Sequence, residues 1–347
     1  MATIYWGLWV YVLTQGRIDE ALGWVDAMLG AADSSGNADL FIMGHRAACV
    51  THFYRGAFAQ SVEHGDAVLA VYDDDRHRHL ADLVNTDPKT AVGNFTASAV
   101  WMLGHPDRAV RVAEARDAHA RRRAHPFDLG YALTWGGEVW ELRGESEPLL
   151  ARVDEAERLG RAHHLPFISE VLAQLMKGLA WLRAGRTAEG TVQLRMAMER
   201  WSANGALALM PYLQATLAEG LAEAGDVDGG LALIEDSLAQ IARPGWGERS
   251  HLAEVLRVKG ALQQRRGEPV RAEASYLAAL AVARAQQARA WELRTATSLA
   301  RLWQAQGRAA DAQALLAPVY AWFTEGFETR DLREAKALLE ALAPAPA

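Results

Sequence analysis

Eight glycines recur along the 347-residue chain at intervals of 40 to 48 residues. A repeat of roughly 20 to 50 residues is typical of solenoid proteins, in which each unit buries its apolar face only against its neighbours. The eight positions are Gly16, Gly56, Gly104, Gly144, Gly185, Gly225, Gly267 and Gly307. Their spacing predicts a repeat array, an architecture that usually offers a surface for binding.

The residues around each glycine follow the pattern of a helical hairpin. Apolar residues recur at spacings of three and four before Gly16, in 6–13, and again after it, in 18–29. Such spacing marks one face of an α-helix. Glycine between two amphipathic runs is the expected C-terminal cap of the first helix, because it adopts the left-handed conformation without a Cβ penalty. The chain has no alternating run rich in Val, Ile and Thr that would predict a strand.

Small residues recur at fixed distances from the glycines. Five residues after the glycine, seven of the eight units carry Gly, Ala or Ser. Small residues at matched points of two antiparallel helices allow their backbones to approach closely. In the seventh unit Gly260, Gly267, Ala272, Tyr276 and Ala279 stand at the tetratricopeptide offsets. We therefore predict an all-α, tetratricopeptide-like α-solenoid of about eight helical hairpins, with helices or connections longer than those of the usual ~34-residue repeat.

The repeats predict a single elongated domain over residues 1–343, with hairpin turns at the eight glycines. The longest interval, between Gly56 and Gly104, contains an irregular segment at 73–90. Apolar residues at helical spacing in 331–342 predict a further amphipathic helix that caps the last hairpin. We expect residues 344–347 to be a disordered tail.

Bulk composition argues against several classes of partner. A formal charge of −7 and a pI near 5.9 disfavour nucleic acid and anionic membranes as partners. The uncharged stretch Ser202–Ala218 contains Gly205 and Pro211, which makes it a poor membrane span. The single cysteine, Cys49, cannot form an intramolecular disulfide and fits a reducing cytoplasm. We therefore expect a cytoplasmic location.

Particular segments of the chain resemble one bacterial protein family. Gln286–Leu339 is similar to the C-terminal end of proteins in which a class III adenylate/guanylate cyclase domain is fused to an AAA-type signalling ATPase and a long tetratricopeptide-like region. Stretches at 6–16, 71–92, 101–110 and 125–133 resemble the same region in the same order. The resemblance implies a regulatory repeat region whose partner is an upstream cyclase or ATPase domain.

The resemblance also implies that the cyclase and ATPase chemistry lies in domains that precede this chain, which looks like the detached repeat region. The segment 85–90 departs from the family because it lacks the glycines expected around its Asp-Pro pair. The chain contains no GxxxxGK[ST] phosphate-binding loop, and no lysine directly follows a glycine. We therefore predict a protein that is not an enzyme, with no catalytic residues, no cofactor and no metal site.

In tetratricopeptide-like arrays the first helix of each hairpin lines the concave face, so the consensus offsets predict which side chains line the groove. These candidates are Arg46, Asn94, Tyr131, Thr134, Glu138, Tyr212, Glu219, Arg257, Arg294 and Arg301. Arg257, Arg294 and Arg301 together suggest an end of the groove that binds carboxylates, because guanidinium groups suit bidentate acceptors. Alternatively, the same arginines are solvated or paired within the array.

Three local clusters each allow a chemical and a structural interpretation. The acids and imidazoles of 73–79 could bind a metal, or form a solvated loop. Glu138 and Glu141 are one helical turn apart, as an acid–base pair would be, or they are groove charges. Cys49 is a potential thiolate, or a small hydrophobic residue within the packing. The structural interpretation is favoured in each case.

The leading functional hypothesis is a non-catalytic repeat scaffold that binds a protein, a peptide or an upstream domain. The alternative is a small-molecule sensor whose curvature changes when ligand binds, and an enzyme is a weaker third possibility. An enclosed apolar pocket with convergent polar groups would favour the sensor, whereas an open groove would favour the scaffold. Finally, Tyr5, Trp6 and Trp9 fall in the first hairpin; we expect some of them to be exposed and to promote self-association.

Overall fold

A computed structural model describes residues 2–84 and 86–343, which form eight helical hairpins followed by a terminal helix. This confirms the predicted all-α, tetratricopeptide-like α-solenoid. The elements in chain order are α1 (Ala2–Thr14), α2 (Ile18–Ser35), α3 (Ala38–Arg55), α4 (Phe58–Val71), the short α5 (Leu80–Val84), α6 (Pro88–Met102), α7 (Pro106–Arg123), α8 (Pro126–Thr134) with a 3₁₀ turn (Trp135–Gly137) leading into α9 (Glu138–Arg143), α10 (Ser146–Ala162), a π-helical segment (Phe167–Leu172) leading into α11 (Ala173–Arg183), α12 (Thr187–Ala203), α13 (Met210–Glu223), α14 (Val227–Ile241), α15 (Leu252–Arg265), α16 (Pro269–Ala285), α17 (Arg289–Ala305), α18 (Ala309–Ala321) and α19 (Arg330–Leu342).

The hairpin turns are built alike, and Gly16 shows the construction. With φ at 74° its amide donates to the carbonyl oxygen of Leu13 at 3.0 Å, and the amide of Arg17 donates to Val12 at 3.0 Å. These two bonds are the Schellman motif, which satisfies the last carbonyls of a helix and requires a left-handed residue. The other seven turn glycines have φ between 75° and 98°. The glycine period is therefore the period of one capping motif.

Long helices account for the long repeat. Helices α2, α3 and α7 each contain 18 residues, while the turns between paired helices are short. The two helices of a hairpin approach closely at the small residues. A Cβ at Gly178 of α11 would lie 2.9 Å from the Leu194 backbone of α12. Side chains larger than hydrogen would therefore push these two helices apart.

The irregular segment between α4 and α6 is a structured connection. The Asp73 carboxylate accepts hydrogen bonds from the amides of Asp75 and Arg76, and the Asp73 amide donates to Nδ1 of the buried His77 at 2.9 Å. Within the described part of the chain, no three His, Cys, Asp or Glu side chains are arranged to hold a metal ion. The hydrogen bonds of Asp73 and His77 therefore stabilise 73–79 as a structured turn.

Asp87 anchors the end of this segment to the hairpins that follow. It is fully buried at the N-terminus of α6, where its Oδ1 accepts from the Thr90 amide at 2.8 Å and lies 2.8 Å from Nε2 of His119. The Tyr72 hydroxyl donates to its other oxygen, and Arg123 lies 3.3 Å from the same atom. Burial alone would raise the pKa of Asp87, but these donors hold it far below its usual range.

The array winds so tightly that its first hairpins contact its last ones, instead of remaining extended. The amides of Leu207 and Ala208 donate to the Thr14 carbonyl at 2.8 and 3.1 Å, and the amides of Arg249 and Ser250 donate to the Tyr54 carbonyl at 2.7 and 3.0 Å. The turns of the first two hairpins are thus held by connections that follow the fifth and sixth hairpins. These backbone bonds close the superhelix on itself.

The third hairpin is held to the C-terminal end in the same way. Glu325 accepts from the amides of Asp107 and Arg108 at 3.0 and 2.9 Å, which places a carboxylate at the N-terminus of α7. The indole rings of Trp101 and Trp291 meet edge to face 5.0 Å apart, where α6 packs against α17. Apolar packing therefore joins hairpins that are distant in sequence as well as neighbouring hairpins.

The N-terminal end of the array differs from the sequence-based expectation. Of the three rings among which exposure is expected, Tyr5 is partly exposed. Trp6 and Trp9 are both buried, and Trp9 donates to the Thr51 hydroxyl at 2.9 Å. The exposed large apolar side chains of α1 are instead those at positions 4, 8 and 11. At the other end α19 buries its apolar face against α17 and α18. The tail expected at 344–347 lies outside the described residues.

Across residues 2–84 and 86–343, no helix is both long enough and apolar enough to cross a membrane.

Candidate functional site

Two of the cavities among the described residues are lined largely by the first helices of the hairpins. An apolar cavity of about 330 Å³ lies within the first five hairpins, and we call it the aromatic cavity. A polar cavity of about 480 Å³ lies between α11, α13, α15, α17 and α19, and we call it the arginine groove. The buried rings of Tyr212 and His251, 4.2 Å apart, pack between the two regions.

Nine of the nineteen residues that line the aromatic cavity are aromatic. Five of them stack in near-parallel pairs with ring centroids 5.4 to 6.5 Å apart: Phe127, Tyr131, Trp135, Trp201 and Phe167. Trp6, Trp9, Tyr54 and Phe95 also line the cavity. Separations and orientations of this kind are favourable between ring faces. The cavity is thus bounded by flat apolar surfaces that come from hairpins distant in sequence.

Arg46 introduces a positive charge into this apolar wall. Its guanidinium donates to the Thr86 carbonyl oxygen at 2.8 Å and to the Thr86 hydroxyl, and it lies over the Trp6 ring, 4.6 Å from the centroid. Burial lowers the pKa of Arg46 to about 10, so the group remains protonated at neutral pH. The structure therefore brings the predicted groove residues Arg46 and Tyr131 to one cavity.

Four predicted groove residues line neither cavity: Asn94, Thr134, Glu138 and Tyr212. The Thr134 hydroxyl donates to the Gly130 carbonyl at 2.7 Å, at the end of α8 where the 3₁₀ turn changes the helical phase. Asn94 is buried beside that turn, because a Cβ at Gly136 would lie 2.6 Å from Asn94 Oδ1. The tetratricopeptide offsets assume one uninterrupted helix, and the 3₁₀ turn breaks that assumption.

Glu138 and Glu141 are one helical turn apart but bind different partners. The Ser98 hydroxyl donates to Glu138 at 2.5 Å, and Nε2 of His251 lies 3.4 Å from the same carboxylate. Glu141 accepts from Nε of Arg183 at 2.7 Å and from the Tyr212 hydroxyl at 2.6 Å. The two carboxylates share no proton or partner, so the arrangement does not support an acid–base pair.

Beyond Glu141, buried charges of alternating sign continue along the floor of the arginine groove. Arg183 also donates to Glu219 at 3.3 Å, and Glu219 accepts from Arg257 at 2.6 Å. Arg257 pairs with Glu254 at 2.7 Å. We call this series of pairs the charge ladder: the fourth, fifth and sixth hairpins contribute one charge each, of alternating sign, and the seventh contributes both Arg257 and Glu254.

The charge ladder continues through Arg294 to the terminal helix. Arg294 lies 3.2 Å from Glu254 and 2.6 Å from Asp331 of α19. Although burial alone would raise the pKa of Glu254, the guanidinium groups of Arg257 and Arg294 hold it far below its usual range. Buried acids and bases are therefore mutually neutralised on the floor of the groove.

The remaining arginines of the groove are more exposed than Arg183, Arg257 and Arg294. Arg301 pairs with Glu334 at 2.8 Å, but both side chains are about half exposed. Arg330 lies 3.6 Å from Asp331 and 3.8 Å from Glu334, and the exposed Arg265 forms no ion pair within the described part of the chain. Of the arginines predicted for a carboxylate-binding end, Arg257 and Arg294 are thus paired within the array, as the alternative interpretation of the sequence has it.

The sequence offered one unused signal for the charge ladder. Its acids and bases lie on the inner helices at intervals close to the glycine period, which would have added Glu141, Arg183, Glu254 and Asp331 to the groove residues. Cys49, in contrast, is buried beside the hydroxyls of Ser61 and Thr96. Burial raises the pKa of its thiol to about 11, which makes it unreactive at neutral pH.

No protein-family model and no curated protein sequence matches the chain. Solved structures share its fold. A Rap protein complexed with competence and sporulation factor has a TM-score of 0.59 at 10% identity, over 98% of this chain and 97% of that chain. NprR in complex with its cognate peptide NprX has a TM-score of 0.56 at 13% identity, over 87% of this chain and 82% of that chain.

A third structure shows the same likeness. The Rap conjugation gene regulator of the plasmid pLS20, in complex with the Phr* peptide, has a TM-score of 0.51 at 10% identity. The alignment covers 98% of this chain and 95% of that chain. At these identities the likeness shows that the tetratricopeptide-like solenoid fold, over nearly its whole length, is shared with these proteins.

Proposed function

We propose that this protein is a non-catalytic helical-repeat scaffold that binds a protein or peptide segment in the arginine groove. The observation that carries the proposal is that charged side chains on the floor of that groove are paired differently from those at its wall. Its floor is neutralised by the charge ladder, whereas the arginines at its wall are less fully paired. Arg265 forms no ion pair among the described residues, and the pairs of Arg301 and Arg330 with Glu334 are partly exposed. Such arginines suit carboxylates of a partner chain.

The rigid floor supports this interpretation. A guanidinium that already has two or three partners is fixed in position, so a segment that enters the groove meets a preformed surface. The structures of similar fold include NprR in complex with its cognate peptide NprX and the Rap conjugation gene regulator of pLS20 in complex with the Phr* peptide. A peptide ligand in the interior of this superhelix is consistent with those complexes.

The identity of the partner rests on the sequence resemblance. Because Gln286–Leu339 resembles the end of cyclase and ATPase fusion proteins, we propose that the scaffold regulates a cyclase or ATPase domain in the cytoplasm. Mixing the chain with a purified class III cyclase domain or AAA-type ATPase domain tests this. A change in their turnover upon saturation with the chain would support the assignment, and unchanged turnover would contradict it.

Charge reversal tests the groove itself. Arg265→Glu with Arg301→Glu should weaken binding of acidic peptides selected from a displayed library, whereas Arg271→Glu on the outer helix α16 is the matched control. Arg271 is an exposed arginine with a single carboxylate neighbour at 3.5 Å. Binding that is equally strong in the double variant and in the control would exclude the arginine groove as the binding surface.

The small-molecule sensor remains a second candidate because the aromatic cavity has the features expected of one. It is mainly apolar, stacked rings form part of its wall, and the polar groups of Arg46 and Tyr131 line it. Pockets that bind small ligands combine an apolar lining with a few placed polar groups.

A further inference from the structure

The charge of Arg46 is not neutralised by the protein around it. The side chain is 94% buried, since only 6% of it is exposed, yet no carboxylate of the described residues forms an ion pair with it. Every other buried arginine discussed above, from Arg183 to Arg294, pairs with at least one carboxylate. A buried charge without a counter-charge is costly, so its retention indicates a partner that is not part of this chain.

Arg46 also retains unused hydrogen-bond donors. A guanidinium has five N–H groups, and the Thr86 carbonyl and hydroxyl each accept from one Nη atom. Its Nε is buried without an acceptor among the described residues. The N–H of Nε and a second N–H of an adjacent Nη lie on one edge of the planar group, which is the edge that binds a carboxylate in a bidentate pair.

The nearest acids do not supply this partner. Asp87 and Asp128 act on Arg46 only through longer-range attraction, which raises its pKa against the larger lowering by burial. Asp87 is occupied by Thr90 and His119, and Asp128 accepts from the Asp87 amide at 2.9 Å. Both carboxylates are thus engaged in the anchoring of the irregular segment.

The shape and lining of the aromatic cavity define the rest of the ligand. A volume of about 330 Å³ is near the lower limit of the roughly 300–1,000 Å³ found for small-molecule sites. Near-parallel ring faces favour another flat ring over a branched aliphatic group. Tyr131, Phe127 and Phe167 are only partly buried, which places the accessible edge of the cavity beside these rings.

We propose that the aromatic cavity binds a small aromatic carboxylate, whose ring lies among the stacked rings and whose carboxylate pairs with Arg46. This site is separate from the arginine groove and adds a second ligand to the proposed scaffold. Because α1, α3, α6, α8 and α12 all contribute to the lining of the cavity, its occupancy would also stiffen the contact between the first and fifth hairpins. Ligand binding in one half could thus influence partner binding in the other.

Isothermal titration calorimetry on the full chain tests the site with three probes: 2-naphthoate, its neutral counterpart 2-naphthylmethanol, and cyclohexanecarboxylate as a non-aromatic acid. We expect 2-naphthoate to bind at least about tenfold more tightly than either of the others, because a hydrogen bond to a charged group and ring stacking each contribute. Equal affinities, or no saturable binding of 2-naphthoate at millimolar concentration, would overturn the proposal.

Four variants test whether the binding that is measured takes place in the aromatic cavity. Arg46→Met should remove the preference for 2-naphthoate over 2-naphthylmethanol, and Ala91→Leu, which fills the cavity without removing the charge, should weaken both. Arg271→Met on the outer helix α16 is the control and should change neither affinity. If Arg46→Met does not fold, the loss of binding in Ala91→Leu and the wild-type preference for 2-naphthoate still test the proposal. Undiminished 2-naphthoate binding by folded Ala91→Leu would overturn it, and so would loss of that binding in Arg301→Met, which would place the ligand in the arginine groove.

Discussion

Arg294 donates a hydrogen bond of 2.8 Å to the carbonyl oxygen of Leu142, a residue 152 positions earlier in the chain. The same guanidinium pairs with Glu254 and with Asp331. A single buried cation thus joins the fourth, seventh and eighth hairpins to the terminal helix. Since these units lie on different turns of the superhelix, Arg294 holds those turns together and is at the same time a member of the charge ladder.

Replacement of Arg294 should therefore be far more destabilising than replacement of a surface arginine. Arg294→Met leaves Glu254 and Asp331 with a lost partner, and we expect the free energy of unfolding to fall by about 3–5 kcal/mol. Arg301→Met is the matched control, because its pair with Glu334 is about half exposed and contributes at most about 1 kcal/mol. Urea denaturation followed by circular dichroism measures both. Similar losses in the two variants would show that Arg294 is not a structural junction.

The closure of the superhelix can be opened at Gly326. This residue has φ at 76°, and an added Cβ would overlap Cγ of Pro106 at the third hairpin. Gly307 has φ at 78°, but a Cβ added there would meet no atom within 4 Å, so Gly307→Ala isolates the cost of the left-handed conformation, about 1–2 kcal/mol. We expect Gly326→Ala to lower the melting temperature further and to increase the radius of gyration in small-angle X-ray scattering. An unchanged radius would mean that the closing contact yields locally.

Glu248 should make the stability of the protein depend on pH. Burial raises the pKa of Glu248 to about 7, while its Oε1 accepts from the Leu209 amide at 3.0 Å and its Oε2 has no hydrogen-bond partner within the described residues. Because the folded state binds this proton more tightly than the unfolded state does, stability is highest below pH ~4.5 for this group and is lost as pH rises to about 7.

Glu248→Gln should remove that loss. We expect the variant to be more stable than the wild type at pH 8, by up to about 3 kcal/mol, and of similar stability near pH 4.5. Thermal melts across this range measure the difference, and Glu63→Gln on the outer face of α4 controls for loss of an ordinary carboxylate. A constant offset between variant and wild type at all pH values would contradict a titration of Glu248.

Helix α1 offers a surface for self-association. Ile4, Leu8 and Tyr11 are 64%, 38% and 60% exposed and lie on one helical face at spacings of four and three. We expect concentration-dependent association that Ile4→Glu with Tyr11→Glu abolishes, whereas Val270→Glu, at an isolated position that is 81% exposed, has no effect. Sedimentation velocity distinguishes these outcomes, and a monomeric wild type at all concentrations would contradict the prediction.

Local rules explain why the architecture was predictable. A Schellman turn needs a left-handed residue, so the chain carries Gly16 and its seven equivalents wherever a first helix ends. The spacing of these glycines therefore equals the length of the structural repeat. Amphipathic spacing around each glycine then specifies two helices. The site was harder to predict from the sequence. The tetratricopeptide offsets correctly located Arg46, Tyr131 and Arg294 on the interior, but they misplaced Thr134 because a 3₁₀ turn changes the phase of that helix.

The sequence by itself determined the repeat, its hairpins and the interior position of most groove residues, because these follow from contacts between near neighbours. Only the tertiary structure decided which of those residues are available to a ligand. Arg294 and Arg46 occupy similar positions on inner helices, yet Arg294 is neutralised by acids on two other elements of the array, whereas Arg46 faces aromatic rings from several hairpins. Electrostatic pairing across a closed superhelix depends on its pitch, and that pitch is set by contacts between residues more than a hundred positions apart.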